Sequence, residues 1–189
     1  MINKKGLLLI LMLTLMLLPE LEASGIANRT VDWLRGYGLS PGLIVFLISM
    51  LPIIELRGAI PVGILLFGMP WPEVVLISVI GNMVPIPLIL MFMEKFFTLI
   101  SRWKLGKRFT DWLFARTRRK GKVIERFEAI GLTIFVGIPL PGTGGWTGAF
   151  AANIFGIRFW NSLLYVFLGV LIAAVIVTSL SLTGQMVVG

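Results

Sequence analysis

Two long stretches of this chain carry almost no charge and yet cannot be single helices, because each is interrupted near its middle by residues that break one. The first runs uncharged from Gly36 to Ile54, meets Glu55-Leu56-Arg57-Gly58-Ala59-Ile60-Pro61, and continues uncharged to Pro72. The second runs uncharged through residues 129–157, with Pro139-Leu140-Pro141-Gly142-Thr143-Gly144-Gly145-Trp146 at its centre. Proline removes a helical donor and clashes with the preceding turn, and glycine weakens helices, so neither run continues through its break. The arms on either side come to about 15–20 Å as helix, against a bilayer hydrocarbon core of about 30 Å. That geometry predicts two re-entrant hairpins.

Composition places them in a membrane. Of 189 residues 57% are apolar and 14% charged, with a mean hydropathy of +0.96, where soluble domains carry roughly 25% charge. One membrane domain, residues 24–189, is the expected organisation. Residues 1–23 precede it as a signal-peptide-like segment or short anchor, because Leu7 to Leu18 after Lys4-Lys5 is too short to span. Val74 to Met93 is a charge-free run of 20 residues and reads as a full span, as does Phe159 to about Thr178.

The net charge of +8 is concentrated: residues 95–126 hold 11 of the 17 basic residues and two acids, giving +9 there and −1 elsewhere. Leu105, Phe109, Trp112 and Leu113 recur within this block at helical spacing, which predicts an amphipathic segment (95–128) on anionic lipid headgroups. The positive-inside rule puts the segment in the cytoplasm and, counting spans, the C-terminus outside a cytoplasmic membrane. Repeat one (42–93) and repeat two (129–178) are then each a hairpin plus a span, entering from opposite faces. The fold expected is an all-α membrane protein of two inverted repeats, a plan used by secondary transporters.

Cysteine and histidine are absent, which excludes disulfides, thiol chemistry, imidazole proton relays and Cys/His metal sites. No catalytic constellation appears, so neither an enzyme nor a cofactor or metal is expected, and a charge concentrated beside membrane spans argues against nucleic acid. Substrate-binding candidates sit in the breaks. Ionisable groups at membrane depth are costly and often functional. Arg57 can receive an anionic group while Glu55 orients it or exchanges a proton; alternatively the two pair, or cap the hairpin arms, and hold the turn. Pro61 closes that break. In the second, Pro139, Pro141, Gly144 and Gly145 shape the backbone, Thr143 offers a hydroxyl and Trp146 a wall, and the helix starting at Gly144 to Thr147 favours an anion at its amino end. Asn82, near the centre of its span and followed by Pro85 and Pro87, is a secondary candidate whose plainer role is a helix-to-helix hydrogen bond.

The segments Pro52-Ile53-Ile54-Glu55-Leu56-Arg57-Gly58-Ala59-Ile60-Pro61 and Pro139 to Gly148 resemble the small multidrug export protein family over roughly residues 40–180. More distantly the plan is similar to the DedA superfamily of re-entrant-hairpin membrane proteins, implicated in moving lipids such as polyprenyl phosphates. That resemblance implies Glu55 and Arg57 as the first-hairpin charged pair, although the arginine common around the proline of the second DedA hairpin is missing here. Three functions follow as expectations: a transporter or lipid translocase for an anionic or amphipathic substrate, a small-molecule exporter coupled through Glu55, or a non-transporting membrane scaffold. Membrane lipids and that substrate are the expected partners, with a homodimer left open.

Overall fold

The computed structural model describes residues 25, 29–100, 102–103, 128–139 and 142–188. The signal-like segment 1–23, nearly all of the basic segment beyond Ile100, and Leu140-Pro141 lie outside the described residues. What is described is helical, without strands. We label the helices α1 (29–35), α2 (Pro41–Ser49), α3 (Glu55–Pro61, continued by a π-helical turn Val62–Leu66), α4 (Trp71–Met83), α5 (Pro85–Ile100), α6 (Glu128–Gly137), α7 (Gly145–Phe155) and α8 (Phe159–Val188).

Helix lengths follow the punctuation of the sequence. The first pair, α2 and α3, has 9 residues and 7 plus 5, and the second, α6 and α7, has 10 and 11. At 1.5 Å per residue each is about half of a bilayer core or a little more. Two helical stretches are long and apolar enough to cross on their own, Trp71–Met93 and Phe159–Gly184. The first is α4 followed by the opening turns of α5, parted at Val84 where Pro85 and Pro87 cannot donate to the preceding turn. The last helix, α8, runs to Val188, ten residues past the Thr178 end expected from hydropathy, and in this extension Ser179, Ser181 and Thr183 satisfy their hydroxyls on the carbonyls of Val175, Val177 and Ser179.

The first break differs from the sequence reading. The chain leaves helix at Met50 and re-enters it at Glu55, so Glu55 and Arg57 stand in the opening turn of α3 rather than in the loop. Pro52 accounts for the shift, since it cannot donate and disfavours helix at Leu51. Pro61 is inside the helix, where it denies the carbonyl of Arg57 its usual partner four residues on, and the wide π turn follows at once.

Helices meet where side chains are small. A Cβ at Gly148 or Gly169 would run into Val136 of α6, and one at Gly137 would lie 3.0 Å from Ile172 Cγ2 of α8, so α6 approaches both α7 and α8 closely through glycine. Gly63 lets the π turn press on Val74 of α4, and Gly81 lets α4 press on Ser49 and Phe46 of α2. The core so formed joins Ile44, Ile48, Leu56, Ile60, Ile86, Val136, Val166 and Val170. On the outside, Leu76, Ile80, Leu88, Met91 and Phe92 of the first long stretch and Leu164, Leu168 and Val175 of α8 are exposed. A surface this apolar faces lipid rather than water.

Candidate functional site

The two breaks, some 90 residues apart in sequence, touch. Glu55 is 6% exposed and has the one left-handed backbone among the described non-glycine residues, φ 52°. That conformation costs a non-glycine residue about 1–3 kcal/mol and persists where surrounding contacts enforce it. Glu55 Oε1 accepts a hydrogen bond from the backbone N–H of Trp146 at 3.2 Å, and the amide of Gly145 also addresses the carboxylate. These are the first two residues of α7, whose free amides form the positive end of its dipole.

Gly144 makes the approach feasible. A Cβ there would collide with the Glu55 carboxyl group, so the residue before α7 must be glycine for the acid to reach the amides. The sequence reading placed an anion at this helix end; in the structure the anionic group there belongs to the protein itself.

Arg57 serves the other side of the same break. Its Nη2 donates to the carbonyls of Val136 at 3.1 Å and Ile138 at 3.3 Å, at the carboxyl end of α6, and to Thr143 Oγ1 at 3.1 Å. The Thr143 hydroxyl in turn donates to the Ile138 carbonyl at 2.8 Å. Positions two apart on a helix point about 200° away from each other, which is how one turn of α3 supplies an acid to the amino end of α7 and a base to the carboxyl end of α6. Each charge meets the helix end of opposite partial charge.

Trp146 adds a third tie, donating from Nε1 to the Met50 carbonyl at 3.1 Å, just before the first break. Glu55, Arg57, Thr143, Gly144, Gly145 and Trp146 are therefore one cluster. Pro61 is half-buried further along α3 and Pro139 is half-buried between the Arg57 contacts and the undescribed Leu140-Pro141; Pro141 lies outside the described residues. Asn153 closes onto Ala149 O of its own helix.

Asn82 was expected to bridge helices by hydrogen bonding, and the structure places it otherwise. It is fully buried, its Nδ2 would lie 2.9 Å from a Cβ on Gly145, and neither of its amide atoms has a hydrogen-bond partner among the described residues. Ser78, one turn earlier on α4, shares that condition and was missed by sequence reasoning. Their spacing of four residues in an uncharged span was the available signal. The carbonyls of Met50, Val136 and Ile138 were also missed, and backbone acceptors leave no mark on a sequence. Among the described residues no group of acidic side chains could hold a metal ion.

A match to the family described as "Putative small multi-drug export protein" covers residues 55–176. It opens on Glu55 and takes in the whole of the second break. The chain belongs to this family. No match was found among curated proteins or among solved structures. The family description points to membrane export, which agrees with the two long apolar helices and the apolar exterior.

Proposed function

We propose that the protein is a multi-pass exporter of small amphipathic molecules, that the contact between the two breaks is its closed gate, and that Glu55 is the residue through which protons drive it. One observation carries this reading: a single helical turn supplies the charges that tie both ends of the opposite break. An ionised carboxylate holds two main-chain amides far better than a neutral carboxyl group does. Protonation of Glu55 therefore loosens α7 while leaving Arg57 on α6, and the gate opens on one side. In this scheme the helix pairs α2–α3 and α6–α7 are re-entrant hairpins of two inverted repeats, entering from opposite faces, and one repeat rocks against the other.

The test is dye efflux from proteoliposomes under an imposed pH gradient. Wild type should extrude an amphipathic dye when the gradient is applied. Glu55→Gln should bind dye without responding to the gradient, while Arg57→Lys, which keeps a charge on the α6 carbonyls, should retain partial activity. A Glu55→Gln protein that extrudes as wild type does would sink the coupling role.

A second reading is supported by the same amino end of α7. A site that already receives a carboxylate could receive a substrate anion instead, such as a phospholipid or polyprenyl phosphate headgroup, once Glu55 is neutral. This is the lipid-translocase function implied by the DedA-like plan. Scrambling of a fluorescent polyprenyl phosphate, lost in Arg57→Ala and absent with the cationic dye, would favour it over export of small molecules.

A further inference from the structure

Among the described residues, several polar side chains at depth close onto a carbonyl of their own helix or the turn beside it. Ser49 donates to Phe46 O at 2.7 Å, Asn153 to Ala149 O at 3.2 Å, Ser162 to Arg158 O at 3.1 Å and Ser181 to Val177 O at 2.8 Å. Ser78 and Asn82 on α4 do not. Both are fully buried, and Ser78 Oγ, Asn82 Nδ2 and Asn82 Oδ1 have no protein partner among the described residues. Thr178 Oγ1 on α8 is in the same position. Buried polar atoms left unsatisfied are costly, and native interiors satisfy them with ordered water when protein partners are lacking.

Position decides what such water would do. Ser78 and Asn82 are four residues apart on one helix, so their side chains stand about 5–6 Å apart at Cβ, a gap that a single water bridges. Asn82 lies against Gly145 and Glu55 against Gly144, and these consecutive residues are about 3.8 Å apart at Cα. The carboxyl group and the amide thus flank the same helix start. Arg57 is the charged group beside Glu55 on α3; α2 and α7 carry none, α4 has Glu73 in its exposed first turn, and α6 has Glu128 at its first position.

We propose that Ser78 and Asn82 bind a short file of water that carries protons along α4 to Glu55. Asn82 positions the water next to the carboxylate, and Ser78 holds the one before it and can pass a proton through its hydroxyl. Each transfer breaks an O–H bond on one oxygen as another forms on the next. The net change is a hydronium ion converted to water at the surface and the Glu55 carboxylate converted to a carboxylic acid. The file rests on the proposal that Glu55 takes up protons, but requires nothing of the exported molecule.

Infrared spectroscopy of the full chain in lipid nanodiscs tests it without a substrate. The carbonyl band of protonated Glu55 is assigned as the band lost in Glu55→Gln, and its rate of appearance is followed after a rapid drop in pH. Asn82→Leu should slow that rate by about tenfold or more, the consequence of losing a water-holding hydrogen bond, and Ser78→Ala should slow it too. Asn82→Ser, which still binds water, should stay near the wild-type rate, and it serves with Ser78→Ala if Asn82→Leu does not fold. A wild-type rate in Ser78→Ala, or in a folded Asn82→Leu, overturns the water file while leaving Glu55 as the coupling residue. A spectrum in which Glu55→Gln removes no band at any pH overturns both.

Discussion

Glu55 and Arg57 differ in what each would leave behind if removed. Without Arg57 the carbonyls of Val136 and Ile138 lose a charged donor, and Arg57→Ala should cost about 1.5–3 kcal/mol for the charge-assisted bonds lost, read as a lower melting temperature in detergent. Glu55→Gln keeps the shape and one acceptor oxygen but not the charge on the α7 amides, so it should lower stability in the same melt by about 1 kcal/mol, the difference between a charge-assisted and a neutral hydrogen bond, while the response of transport to pH flattens. Gly144→Ala separates contact from charge, since it leaves every ionisable group in place and pushes the Glu55 carboxyl group off the amides. It should therefore reproduce the transport defect of Glu55→Gln with both charges intact.

Among the elements, the short helices depend on glycine for close approach. Gly148→Val and Gly169→Val would each drive a side chain into Val136 where α6 crosses α7 and α8, and overpacking of this kind costs about 1–3 kcal/mol. Thermal melts should show it, whereas Gly131→Val on the open side of α6 should be tolerated. Much at this scale was readable beforehand. Proline and glycine announced the second break where it stands and the first one a few residues too late, and the uncharged runs announced both long helices, because these signals are local. The start of α3 at Glu55 and its π turn were not readable, since the chain could end one helix and begin the next at several points between Met50 and Gly58. The partners of the candidate residues were hidden for a different reason. Trp146 bonds Glu55 across 91 residues and Met50 across 96, and Arg57 reaches Thr143 across 86. Hydrophobic periodicity reports which face is buried and never against what.

For the whole molecule, orientation in the bilayer is the property to measure. The sequence contains no cysteine, so single introduced cysteines report accessibility without background. Trp103→Cys, at a residue 79% exposed just beyond α5, should react with a membrane-impermeant maleimide only from the cytoplasmic side. Thr183→Cys, near the far end of α8, should react only from outside. Labelling of both from one side would invalidate the opposed entry of the two helix pairs and, with it, the rocking of inverted repeats. The tie between the breaks also sets a limit on how this molecule can be altered. An ordinary ion pair can be inverted by exchanging its members, since each side chain sees only the other. Here the counter-charges are the ends of α6 and α7, and the direction of a peptide backbone cannot be mutated. A protein carrying Glu55→Arg and Arg57→Glu together would keep its net charge and still set cation against amide and anion against carbonyl. The chain's handedness of charge at this turn is therefore fixed by its main chain, and the double exchange should be worse than either single change.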